Sequence, residues 1–165
     1  MLFKWVDYCE KYEDEIETWR HDELVDRYVT DDGTKADHLM YLTDERFKEY
    51  EYNKGYFCKV VLEEEIIIAV LMIFRSERIP TTIEHFIVNP KYRNKGYGTK
   101  IINELIHNTR TIIGFDSDFF ETGAWLDNDN KPFMRVWEKN GFILYPTRPN
   151  GHNFGFYRYT RSKTE

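Results

Sequence analysis

The sequence predicts an α/β domain built on a mixed sheet with helices packed against it. Three observations predict this. Residues 66–74 are apolar on both faces and rich in β-branched side chains, as a strand buried inside a sheet must be. Residues 98–107 switch to a helical period. The order of elements is helices, hairpin, strand, helix, strand, helix and two closing strands, which fits a mixed sheet and not a purely parallel one. At 165 residues the chain is expected to be one domain, 1–165, with enough length to bury a real core.

Residues 1–50 are charged and aromatic. Trp5, Tyr8, Cys9 and Tyr12 fall at helical spacing, as do Leu39, Leu42, Phe47 and Tyr50, with Asp31-Asp32-Gly33 as a turn between the two sets. Residues 56–62 and 66–74 flank the exposed connection Glu63-Glu64-Glu65 and read as a hairpin. Residues 81–88 form a third strand whose interior is apolar apart from Glu84 and His85. In the helix that follows, Ile101, Ile102, Leu105 and Ile106 make the inner face, while Lys100, Asn103, Glu104 and His107 are placed outside. Residues 111–115 fit either a strand or a packed loop, and residues 122–126 another strand. A second helix has clear boundaries: Asp129 or Asn130 as cap, Pro132 in the first turn, Gly141 at the end, and Phe133, Val136 and Trp137 as its buried stripe. Residues 142–145 and 154–159 close the sheet around a Pro149-Asn150-Gly151 turn.

Composition narrows the function. Hydrophobic content of 41% with 17% aromatics excludes a disordered chain. The longest apolar run, residues 66–74, is too short to span a bilayer, and residues 1–7 lack the pattern of a secretory signal. Cys9 and Cys58 make neither a disulfide nor a metal pattern. A cytoplasmic protein with reduced cysteines and no membrane partner is expected. The net charge of −6 disfavours nucleic acid and leans toward a cationic partner such as an amine.

The most informative stretch is residues 88–98, Val-Asn-Pro-Lys-Tyr-Arg-Asn-Lys-Gly-Tyr-Gly. It reads as a strand end, a basic glycine turn and the first turn of a helix. Such a helix start offers backbone N–H groups and partial positive charge to an anion. Gly96 and Gly98 allow a phosphate close approach, and Arg93 and Lys95 are expected to add formal charge. The same residues would also serve as an ordinary glycine turn with solvated cations; the handover from a two-sided apolar strand to an amphipathic helix favours a pyrophosphate-bearing ligand. A dinucleotide fingerprint and a P-loop are both absent from the chain. Asp127, Asp129 and Glu138 fall at calcium-loop positions 1, 3 and 12, but Lys131 and Pro132 stand where a ligand and a glycine are required, so no metal is expected.

Two motifs in order resemble the GCN5-related N-acetyltransferase (GNAT) superfamily. One is the strand Ile83-Glu84-His85-Phe86-Ile87-Val88 with the Arg93-Asn94-Lys95-Gly96-Tyr97-Gly98 turn. The other is Asn130, Phe133 and Trp137-Glu138-Lys139-Asn140-Gly141-Phe142. The resemblance covers roughly residues 56–159. It implies a GNAT-like mixed, mostly antiparallel central sheet flanked by helices, with acetyl-CoA as co-substrate and a primary amine of a small molecule or protein as acceptor. It is also compatible with a homodimer.

The resemblance further implies that Arg93, Asn94, Lys95, Gly96, Tyr97, Gly98 and Thr99 hold the coenzyme pyrophosphate. The pantetheine arm would run beside Phe86, Ile87 and Val88, with Asn130 and Trp137 completing the donor site. Glu84 is the implied general base, with His85 the other candidate on that strand; alternation allows only one of them to face a cleft. Relatives often carry a tyrosine where this chain has Trp137, and an indole N–H is no practical acid. Tyr145 is therefore named as the candidate acid, with Tyr157 or water as substitutes. Two other readings share the fold: a non-catalytic acyl-CoA sensor, and an enzyme using a longer acyl donor.

Overall fold

Glu64 and Glu65 have φ angles of 49° and 68°, both left-handed. A two-residue turn of that hand matches the twist of antiparallel strands. It joins β2 (Tyr56–Glu63) to β3 (Ile66–Phe74), which pair from Tyr56↔Phe74 to Glu63↔Ile66. The hairpin seeds the sheet of a computed structural model that describes residues 1–19, 22–25, 55–75, 80–146 and 154–162.

The other elements are β1 (Lys4–Asp7), α1 (Glu13–Thr18), β4 (Thr81–Val88), α2 (Tyr97–His107), α3 (Thr109–Ile113), β5 (Phe119–Trp125), α4 (Lys131–Lys139), β6 (Ile143–Pro146) and β7 (Phe154–Thr160). The strand order is β1-β2-β3-β4-β5-β7-β6. Every neighbouring pair is antiparallel except β4 with β5. The expected mixed, mostly antiparallel sheet is therefore present.

Each face of the sheet buries its own cluster. Val61, Leu71, Ile83 and Phe86 meet α2, α3 and α4 through residues such as Ile101, Leu105 and Trp137. On the opposite face Val60, Leu62, Val70 and Ile87 meet Ile16, Trp19 and Val25. Among the described residues no helix is long and apolar enough to cross a membrane.

Three local expectations need correction. The residues around Trp5 do not begin a helix; residues 4–7 pair with residues 59–62 as edge strand β1, and α1 starts only at Glu13. An open edge on β2 offers a ladder of backbone hydrogen bonds, which outweighs a weak helical period in a short segment. Residues 111–115 form neither strand nor simple loop, because α3 covers 109–113, buries Ile112 and Ile113, and ends at Gly114 with φ +79°.

The third correction concerns Glu104, which is 6% exposed instead of facing solvent. Its carboxylate accepts hydrogen bonds from the Leu2 amide at 2.5 Å, the Phe3 amide at 3.3 Å and Trp5 Nε1 at 2.8 Å. The chain leading into β1 thus crosses the flank of α2 that helical periodicity assigns to water. The Asp31-Asp32-Gly33 turn, the Leu39 to Tyr50 set and the Pro149-Asn150-Gly151 turn lie outside the described residues.

Replacing Glu104 by Ala strips three donors of one buried acceptor. Leaving buried polar groups unsatisfied costs about 1–3 kcal/mol. Urea unfolding of Glu104→Ala should therefore show a loss of about 2 kcal/mol, with Glu104→Gln, which keeps one acceptor oxygen, losing less. A Glu104→Ala midpoint equal to wild type would show that the carboxylate does not hold the N-terminal strand.

Candidate active site

The site begins where two parallel strands part. β4 and β5 pair only at Thr81↔Phe120 and Thr82↔Glu121. The Thr122 hydroxyl donates to the Ile83 carbonyl at 2.8 Å, and beyond it the strands diverge. β4 keeps its β3 partner as far as Val88. Its other edge therefore turns backbone N–H and C=O groups toward a cavity of about 460 Å³. On the β5 side the wall is Gly123 and Ala124, and α4 contributes Phe133 and Val136. Gly123 is required by packing: a Cβ there would lie 2.4 Å from Phe154 Cζ.

A β-bulge sets which β4 side chains line this cleft. Met72 pairs with His85 and Ile73 with Ile83, so Glu84 is an extra residue without a partner on β3. Burial shows the same slip, since Ile83 and Phe86 enter one core cluster although strict alternation would put them on opposite faces. Glu84 and His85 both line the cavity as a result. This corrects the expectation that at most one of them faces it. Glu84 is exposed, and its carboxylate accepts from the Tyr56 hydroxyl at 3.2 Å.

The far end of the cleft reaches the start of α2. Asn94 and Gly96 adopt left-handed φ angles of 59° and 82°, which turns the chain into the helix. The first helical bond at this end runs from the Lys100 amide to the Gly96 carbonyl at 3.2 Å. The amides of residues 97–99 precede it and are the unsatisfied donors of a helix start. Gly98 lets α4 press close, as a Cβ there would stand 3.1 Å from Val136 Cγ2. Asn140 Nδ2 ties the same turn to α4 by donating to the Thr99 carbonyl at 3.2 Å.

The charges expected at this turn are largely committed elsewhere. Arg93 Nη1 is 2.6 Å from Asp22 Oδ1, and Arg93 Nε donates to the Val88 carbonyl at 3.2 Å. Burial works against the Asp22 carboxylate, but Arg93 and the amides of Val25 and Leu24 outweigh it and hold its carboxyl below the ordinary value. Lys95 Nζ donates to the Lys91 carbonyl at 3.0 Å and lies 5.1 Å above the Tyr92 ring, away from the cleft wall. The Tyr97 hydroxyl donates to Glu63 at 2.5 Å, and that hydrogen bond raises its pKa above the usual tyrosine value.

The remaining sequence-predicted residues divide. Asn130 stands at the N-cap position of α4, yet its Nδ2 donates to the Trp125 carbonyl at 2.7 Å and its side chain makes no cap bond. It lies on the cleft wall with Phe86, Ile87, Val88, Arg93, Asn94, Gly96, Tyr97, Gly98 and Thr99. Trp137 does not. It is fully buried, within 6.0 Å of Phe86 and 5.1 Å of Phe142 between ring centroids, so it supports the cleft floor from beneath.

Tyr145 is also away from the cleft, 48% exposed on edge strand β6 with the Arg158 guanidinium 5.0 Å from its ring. Tyr157 is buried and donates to Glu138 at 3.2 Å; burial, with the nearby carboxylate, pushes its pKa up to about 12. Sequence reasoning missed Leu24, Val25, Arg135 and Lys139 on the cleft wall. The last two carried a signal, because Lys131, Arg135 and Lys139 repeat every four residues along α4.

With this geometry in view, comparison with known proteins is specific. The family model described as "Acetyltransferase (GNAT) family" matches residues 12–142. YfmK of Bacillus subtilis, named an uncharacterized N-acetyltransferase, is 32% identical over 88 residues, covering 52% of each chain. An N-acetyltransferase 9-like protein of Schizosaccharomyces pombe is 33% identical over 61 residues, 36% of this chain and 28% of that one. The match thus spans about half the length of the first relative and less of the second.

Among solved structures, the fold superposes on spermidine N-acetyltransferase from Vibrio cholerae in complex with CoA and spermine. The TM-score is 0.67 at 15% identity, covering 95% of this chain and 93% of that one. It also superposes on an aminoglycoside acetyltransferase in complex with coenzyme A, with a TM-score of 0.71 at 14% identity and coverage of 96% and 95%. These likenesses establish the fold.

Proposed function

Because this chain belongs to the acetyltransferase (GNAT) family, we propose that it transfers an acetyl group from acetyl-CoA to a primary amine of a small molecule or protein. The observation that carries this reading is the cleft between β4 and β5, which runs from the Glu84 bulge to the amides at the start of α2. A pyrophosphate fits those amides, and a pantetheine arm fits the open β4 edge as an added strand. The Val88 carbonyl already accepts from Arg93, so the arm is expected to pair with the backbone before it. Two solved neighbours were determined with coenzyme A, one of them a spermidine N-acetyltransferase also holding spermine and the other an aminoglycoside acetyltransferase, which supports an amine acceptor.

An attacking amine must first be neutral. A lysine-like amine is about one part in 2,500 neutral at pH 7, equivalent to about 4.6 kcal/mol. We assign removal of that proton to Glu84, directly or through water, with the bulge aiming it into the cleft and Tyr56 orienting it. The neutral amine then attacks the thioester carbonyl and the coenzyme leaves as thiolate. Its pKa of about 8.5 makes it a fair leaving group without a side-chain acid. Water fills that role, since neither Tyr145 nor Tyr157 lines the cleft. A reducing, cytoplasmic setting and a single domain complete the reading.

Two measurements test this. Release of free thiol across an amine panel should fall about 100-fold at pH 7 in Glu84→Gln, and the deficit should shrink as pH rises and the amine loses its proton unaided. Full activity of Glu84→Gln at neutral pH would remove Glu84 as base. No thiol release by wild type despite acetyl-CoA binding would instead favour the sensor reading. For the turn, Gly96→Asp and Gly96→Asn are matched in shape, and both residue types tolerate left-handed backbone. A Cβ at Gly96 meets nothing within 4 Å. Gly96→Asp should bind acetyl-CoA about tenfold more weakly than Gly96→Asn at low salt, with the gap closing as salt screens it. Equal affinities would place the phosphates elsewhere.

A further inference from the structure

Arg93 stands at the donor turn but spends its guanidinium on Asp22, 71 residues away in sequence. The two side chains are 23% and 25% exposed, so their 2.6 Å ion pair is screened less than one on the open surface. The turn that carries Arg93 is itself pinned to β3. Asn89 is buried; its Nδ2 donates to the Ile67 carbonyl at 2.8 Å and its Oδ1 accepts from the Lys91 amide at 3.1 Å. Arg93 Nε donates to the Val88 carbonyl at 3.2 Å, which fixes the guanidinium as well. The pair therefore locates Asp22 on the turn, not the reverse.

Asp22 has a second task. The same Oδ1 accepts from the Leu24 amide at 3.1 Å and the Val25 amide at 3.2 Å, capping the helical stretch at residues 23–25. Val25 is buried in the cluster that also holds Ile87 of β4. Leu24 thus stands between two fixed points, Asp22 on the donor turn and Val25 in the core. Its side chain lines the cleft and stays 39% exposed. An exposed leucine alone means little. What marks this one is anchorage on both sides and a place on the cleft wall.

That place matters because of what would pass it. With the pyrophosphate on the amides of residues 97–99, the pantetheine arm leaves along the β4 edge that carries Ile87. The segment of the arm next to the pyrophosphate is apolar, a quaternary carbon bearing two methyl groups. We propose that Asp22 is a positioning residue for donor binding, holding Leu24 through Arg93 as the apolar cover of that dimethyl segment. Arg93 then serves the arm and not the phosphates. The inference rests on the donor reading given above and makes an expectation opposite in sign to a phosphate contact. Were Arg93 a phosphate ligand restrained by Asp22, releasing it would tighten coenzyme binding. As the anchor of the cover, its release weakens binding.

Calorimetric titration of wild type, Asp22→Asn, Leu24→Ala and the double variant with coenzyme A separates the two. Asparagine keeps an oxygen for the Leu24 and Val25 amides, so Asp22→Asn removes the charge pair and leaves the cap. It should bind coenzyme A about fivefold more weakly. Leu24→Ala, which removes the cover itself from an exposed position, should lose about as much. The double variant should lose no more than about tenfold, because a released Leu24 has no contact left to give up; two independent losses would multiply to about 25-fold. Tighter or unchanged binding by Asp22→Asn, wild-type affinity in Leu24→Ala, or a double variant near the product would each overturn the proposal. Absence of coenzyme binding by wild type would overturn it together with the donor reading. The expected losses without thiol release from any amine would leave the positioning role standing and remove the enzymatic reading alone.

Discussion

The structure depends on one interrupted pairing. β4 and β5 run parallel for two residue pairs and then part, and the Thr122 hydroxyl closes the joint by donating to Ile83. A fully zipped pair would leave no cavity and no open backbone edge. Separation exposes polar backbone groups along β4, a cost that a protein sustains only where water or a ligand can satisfy them. Packing on both sides keeps the strands apart. Phe154 sits against Gly123 on β5, and Phe86 and Trp137 form an aromatic floor joining β4 to α4.

The bulge at Glu84 is the second consequence of that geometry. One inserted residue reverses the facing of everything before it on β4 while leaving Phe86, Ile87 and Val88 in place for the cleft and core. Two titratable side chains, Glu84 and His85, are thereby delivered to one wall. At the opposite end, fixed charge gives way to backbone: the turn's Arg93 is spent on Asp22, and it is the amides of residues 97–99 that stand open. Arg93 also fastens Leu24 and Val25, through the Asp22 turn that bonds their amides, onto the cleft wall.

Much of this was legible in the sequence where local pattern and burial agree. The two-sided apolar run of β3, the Glu64-Glu65 connection, β4 at residues 81–88 and the boundaries of α4 follow from periodicity and turn chemistry, as does the glycine turn. What escaped depends on distant partners. Glu104 looks like a solvent-facing helix residue until the chain entering β1 lays three donors against it. Periodicity cannot reveal a bulge, because the inserted Glu84 is defined only by its register with β3. The fate of Arg93 was hidden for the same reason, since Asp22 lies 71 residues away in sequence. Trp137 is the instructive case: its place in a family motif suggested the cleft, whereas its size and apolarity sent it to the core.

Amide hydrogen exchange with and without coenzyme A tests the central claim most directly, because it reads the backbone groups that the parting of β4 and β5 exposes. Protection should rise at residues 97–99 and along the cleft edge of residues 84–88, while the β2–β3 hairpin, whose strands already pair with each other from Tyr56↔Phe74 to Glu63↔Ile66, stays unchanged. Slowed exchange confined to other elements, or none at all under saturating coenzyme, would contradict the assignment of this cleft as the donor site.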